Sequence, residues 1–169
     1  MAQATAPVFD STKIAALLQD LAGHLTIVGV NPSRTSRRKW DRCGWGPQTE
    51  LLPDVNRTNF VQFLRERAGV YDLLWLSRTH NLRLLRQWQD AAPEFFKDVR
   101  IVLDTEAIAS ARMVYQAQML GEAPDLDELL ADELLGAESA SAICAVNELD
   151  RALIQRDAIA GGGPGRRCT

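Results

Sequence analysis

Asp104 and Glu106 stand as Asp-x-Glu directly after the apolar run Ile101-Val102-Leu103. Carboxylates in that position can bind sugar hydroxyls, hold a metal or remove a proton. They can equally cap the helix whose apolar stripe begins at Ile108, because acids are favoured at helix amino termini. Arg78 and His80 follow a second apolar run, Leu73-Leu74-Trp75-Leu76. Arg78 can bind an anion or pair with Asp104, and His80 can serve as a general base or as plain polar surface. Asn147 and Glu148 follow residues 141–146, and Glu148 can line a cleft or stabilise a helix start. Asn31 closes the run at residues 25–30. Arg37, Arg38 and Lys39 lie in the basic stretch 34–42 around Trp40, which can meet phosphates or the surface of an anionic membrane, or form a solvated loop.

These groups come together only if strands and helices alternate. Ile14, Leu17, Leu18 and Leu21 repeat as one helix face, started by Asp10 or Ser11. Residues 25–30 read as a buried strand, and Glu50-Leu51-Leu52 as a short edge strand. Phe60, Val61 and Leu64 mark a helix that stops near Gly69. Residues 71–76 form a strand, and Leu82, Leu85, Trp88, Ala92 and Phe95 predict one long helix after it. The next strand is 100–103. Ile108, Ala111, Tyr115 and Met119 form a helix stripe, and so do Leu126, Leu129, Leu130, Leu134 and Ala137. The last strand is 141–146, followed by a helix opening with Leu149, Ala152 and Leu153. Apolar strands separated by amphipathic helices predict an α/β fold, a three-layer Rossmann-like domain with a mostly parallel sheet. It is expected over residues 1–158, with 159–169 as a disordered tail. In such a sheet, ligands bind outside the carboxyl ends of the strands. That rule gathers Asn31, Arg78, His80, Asp104, Glu106, Asn147 and Glu148 along one edge.

Composition bounds the function. The chain has 169 residues, 46% of them hydrophobic, and a net charge of −3. It is folded in character and is not a polycation built for nucleic acid. Residues 104–150 hold eleven acidic and one basic side chain, a pattern suited to solvated helix faces. Three cysteines, Cys43, Cys144 and Cys168, have no metal or redox spacing and suit a reducing, cytoplasmic setting. No apolar run is long enough to span a bilayer. The sequence contains no dinucleotide or phosphate-loop glycine fingerprint and no nucleophile elbow. With two histidines, no His-rich metal site is expected, and no cofactor is assigned. Asp125-Leu126-Asp127 has the Asp-x-Asp spacing of some sugar-transferase metal sites, but it follows Pro124 and opens a helix, so capping is the expected role.

Three segments taken together resemble a known family. Tyr71-Asp72-Leu73-Leu74-Trp75-Leu76-Ser77-Arg78-Thr79-His80-Asn81, then Arg100-Ile101-Val102-Leu103-Asp104-Thr105-Glu106-Ala107 with Arg112 beyond it, then Glu133-Leu134 with Ala145-Val146-Asn147-Glu148, are similar to segments of bacterial glycosyltransferases built from two Rossmann-like domains. The similarity covers about residues 59–155. It implies an amino-terminal, acceptor-side domain in surface-glycan synthesis, with a nucleotide-sugar donor held by a second domain and a hydroxyl acceptor as partner. Carried over by position, it implies that Arg78, His80, Asp104, Glu106 and Glu148 line the cleft and that the catalytic candidates are Asp104, Glu106 and His80, while Asn31 and Asn147 are cleft candidates by their strand-end positions. Asn147 stands where the family has Ser or Thr. The donor domain's paired glutamates are absent, so the chain is expected to lack the donor site. The family's first strand has only residues 6–9 as a counterpart. A binding module that docks an anionic partner through residues 34–42 is the alternative expectation, and a nucleotide-using enzyme of another Rossmann type is a third.

Overall fold

The computed structural model describes residues 6–29 and 44–160, with side chains over 14–29 and 44–157. The chain divides into two compact units, Met1–Glu66 and Arg67–Thr169. It is an α/β protein with two small, open parallel sheets. Asn31, Arg37, Arg38 and Lys39 lie outside the described residues, as do the rest of the basic stretch and residues 161–169 of the expected tail, whose first two residues, 159 and 160, are helical instead.

In the first unit, helix α1 (Ala6–Leu21) leads into strand β1 (Leu25–Val28). Residues 6–9, the expected counterpart of a first strand, are helical instead. Pro7 explains this: its fixed φ suits a helical first turn, where the missing N–H needs no partner. Strand β2 (Thr49–Leu52) pairs parallel with β1, Leu25 opposite Thr49 and Val28 opposite Leu52. Helix α2 (Phe60–Glu66) follows, with Phe60 and Leu64 buried.

The second unit carries a sheet ordered β3 (Leu73–Ser77), β4 (Arg100–Asp104), β5 (Ala142–Cys144), all parallel. Ser77 is opposite Asp104, and Asp104 is opposite Cys144, so the three carboxyl ends are level. Leu76, Ile101, Leu103 and Ile143 are buried, as the apolar runs require.

The stretch after β3 is not one helix. A 3-10 turn (Thr79–Asn81) enters α3 (Leu82–Ala91), and α4 (Pro93–Phe96) is separate. Pro93 makes the break, because it forces Ala92 out of the helical region, to φ −140° and ψ 59°. Leu82, Leu85, Trp88, Ala92 and Phe95 are nevertheless all buried, as their spacing predicts. Helix α5 (Ala109–Met119) ends where Gly121 takes φ +81° and Glu122 N–H reaches back to the Ala117 carbonyl. Its expected stripe is turned: Ile108 is buried, but Tyr115 and Met119 are exposed. The rotation is fixed by buried Ser110, whose hydroxyl oxygen lies 3.0 Å from the Leu129 carbonyl.

Helix α6 (Leu126–Glu133) packs against α5 and α7 (Glu148–Ala160). Asp125 is its N-cap, accepting from the Asp127 and Glu128 amides, which is the role expected of the Asp-x-Asp motif. Leu130 and Leu134 fill its inner face. In α7 the buried face is Asp150, Leu153 and Ile154, while Leu149 is exposed, so the expected opening of that stripe is also displaced. Among the described residues, no helix is long and apolar enough to cross a membrane.

Candidate functional site at the carboxyl edge of the three-stranded sheet

Level strand ends bring Arg78, Asp104 and Glu106 together. The Arg78 amide donates to the Asp104 carbonyl at 2.6 Å, extending the β3–β4 ladder by one residue. The Arg78 Nε then donates to Glu106 Oε2 at 2.9 Å. Asp104 is 6% exposed, and its Oδ1 accepts from the Glu106 amide at 3.1 Å. Thr105 anchors the same turn from the other side: its amide and hydroxyl both donate to the Cys144 carbonyl at 3.1 Å.

Two backbone conformations single out this edge. Arg78 has φ 76° and ψ 135°, and Glu106 has φ 54°; they are the only non-glycine residues with positive φ among those described. A side chain with a Cβ reaches that region at a cost of about 1–3 kcal/mol, which persists only where the surroundings impose it. Here the two strained residues are each other's ion-pair partners. The Arg78 side chain is 35% exposed, while the Glu106 side chain is 12% exposed. The arrangement is a carboxylate oriented by a cation beside a second, buried carboxylate. Chemically it can accept hydrogen bonds from hydroxyls, or a proton, at one sheet edge.

The other expected residues are placed differently. His80 sits in the 3-10 turn after Arg78 and is exposed. Asn147 caps α7, its Oδ1 accepting from the Asp150 amide at 2.9 Å and its Nδ2 donating to Asp150 Oδ2 at 3.3 Å. Glu148 is an exposed first-turn acid paired with Arg151 at 3.0 Å. Among the described residues, no cluster of three or more His, Cys, Asp or Glu side chains could hold a metal ion.

One residue central to this edge is not among the sequence candidates. Glu133, at the end of α6, reaches the amino terminus of α5. Its Oε1 accepts from the Ala109 amide and the Thr79 hydroxyl, both at 2.8 Å. Its Oε2 accepts from the Ser110 amide at 2.7 Å and the Ser110 hydroxyl at 2.5 Å. Burial raises the Glu133 carboxyl, but these bonds from Ser110, Ala109 and Thr79 outweigh it and hold the group below its ordinary value. The amino terminus of α5, lying just past a strand end, is thus filled by the protein's own carboxylate. A Glu ending an amphipathic helix reads as a surface acid, and although Glu133-Leu134 is one of the segments quoted above, nothing in the sequence assigns Glu133 this contact.

Comparison with protein-family models, curated protein sequences and solved structures returns no match.

Proposed function

We propose that this chain is the acceptor-side domain of a glycosyltransferase of the two-domain Rossmann-like kind. It would bind a sugar hydroxyl while a second domain holds the nucleotide-sugar donor. The observation that carries the reading is the Arg78–Glu106 pair beside Asp104 at the carboxyl edge, with both paired residues in left-handed backbone. Carboxylates are the usual acceptors for sugar hydroxyls, and this edge is where doubly wound sheets bind ligands. The occupied amino terminus of α5 supports the same division of labour. A nucleotide phosphate would compete there with Glu133 for the Ala109 and Ser110 amides.

In the transfer, the acceptor oxygen forms a bond to the anomeric carbon as the bond to the donor phosphate breaks. The hydroxyl proton passes to a carboxylate at the edge. Glu106 is the better placed of the two, because Asp104 is more enclosed and its Oδ1 is committed to the Glu106 amide. Arg78 orients the Glu106 carboxylate, and His80, exposed on the neighbouring turn, belongs to the rim of the acceptor site.

Ligand-observed NMR on the purified chain tests the proposal. The probes are neutral hexoses, N-acetylhexosamines and nucleotide sugars. A saturable sugar signal, weakened at least tenfold in Glu106→Gln, is expected, with no saturable nucleotide-sugar site. A nucleotide-sugar site on this chain, or no sugar binding by the unaltered protein, would overturn it.

A further inference from the structure

We propose that Glu133 is the positioning residue of the carboxyl-edge site, bridging Thr79 to the start of α5 so that Arg78 and Glu106 are held against each other. A closed ring of contacts carries the inference. Glu133 Oε1 binds the Thr79 hydroxyl, and Thr79 follows Arg78 in the chain. Arg78 binds Glu106 across the edge. From Glu106 the chain runs through Ala107 and Ile108 to Ala109, whose amide returns to the same Glu133 oxygen. Both positive-φ side chains lie on this ring, and Glu133 is its only member from α6.

The ring explains why the strained turns stay put. Neither Arg78 nor Glu106 is in a helix or strand, so beyond the single ladder-like bond of the Arg78 amide their φ angles are held by contacts outside regular structure. Arg78 is fixed on one side by its amide bond to the Asp104 carbonyl and on the other by the tethered Thr79. Glu106 is fixed before by Asp104 Oδ1 and after by the anchored start of α5. Helix α5 has no capping side chain of its own, because Ile108 occupies the N-cap position. Removing the Glu133 carboxylate therefore loosens the N–H groups of α5 and the turn carrying Glu106 together. The sugar-binding consequence rests on the function proposed above; the positioning role does not.

The test uses backbone-amide NMR of the folded full chain for Glu133→Gln, Glu133→Ala and, as a control, Asp125→Ala. The control removes the cap of α6 while leaving the ring intact. In both Glu133 variants the amides of Arg78 and Glu106 should shift along with those of Ala109 and Ser110, and neutral-sugar affinity should fall at least tenfold. The Asp125 variant should leave those four amides and the sugar affinity as they are. The Gln variant, close in shape, covers the case in which Ala does not fold. The proposal is overturned if Arg78 and Glu106 keep their resonances in Glu133→Gln while Ala109 and Ser110 move, or if Asp125→Ala shifts all four equally. If the unaltered chain binds no sugar, the proposed function fails while the amide comparison still decides the positioning role.

Discussion

Replacing Arg78 by glycine should give a more stable protein than replacing it by alanine. Both substitutions remove the guanidinium and its 2.9 Å contact with Glu106, so that loss cancels in the comparison. What differs is the backbone at φ 76°, ψ 135°, where a Cβ is crowded and glycine is not. The strain relieved is about 1–3 kcal/mol. Glycine gives back about 0.4–1 kcal/mol, because its unfolded chain has more freedom to lose. The net expectation is that Arg78→Gly exceeds Arg78→Ala by about 1.3 kcal/mol at the midpoints of these ranges, which span roughly 0–2.6 kcal/mol. Urea unfolding of both variants, with similar slopes and different midpoints, measures it. The difference should vanish for sugar binding: neither variant should bind neutral sugars, since neither orients Glu106. Equal midpoints, or a less stable glycine variant, would refute the claim that this edge stores backbone strain.

Acid should act through Glu133. Its folded carboxyl lies below the ordinary value, so its stabilisation is fully present above the unfolded value and is lost as pH falls through the folded one. The stability gap between the unaltered chain and Glu133→Gln should be widest above about pH 5 and close on acidification, as read by thermal melts across pH. Asp125→Ala should lower stability by about 1 kcal/mol through loss of the α6 cap, measured by urea unfolding. Leu103 is fully enclosed in the central strand, and Leu103→Ala should cost about 2–5 kcal/mol by the same assay.

The strand ends were legible in the sequence because β3 and β4 are short apolar runs closed by polar residues. Register then places Ser77 opposite Asp104 without further information. Parallel pairing followed from the alternation of strands and helices. Helix rotation was harder. Tyr115 and Met119 share a stripe with Ile108, yet the face of α5 is chosen by a buried hydroxyl, Ser110, bonded to another helix. The break between α3 and α4 was written in Pro93, but the apolar spacing continues across it and masks it. Within the site, the carboxylates and Arg78 could be named from position. The left-handed φ of Arg78 and Glu106 could not, because glycine is the residue that advertises such a turn and neither position has one. Glu133 was hidden for a different reason: its contacts lie with Thr79, Ala109 and Ser110, distant in the chain, and no local pattern encodes them.

Parallel register also sets an order of events as the chain is made. Leu73 pairs with Arg100, and Val102 with Ala142, so neither ladder can close as a hairpin. At ordinary synthesis rates, β3 is complete roughly 1–5 s before β4 exists to pair with it. During that interval Leu73-Leu74-Trp75-Leu76 has no strand partner within its unit and is open to contact with chaperones or other nascent chains. A codon or temperature change that slows elongation between residues 77 and 100 should therefore lower the yield of soluble protein without altering a single contact of the finished fold.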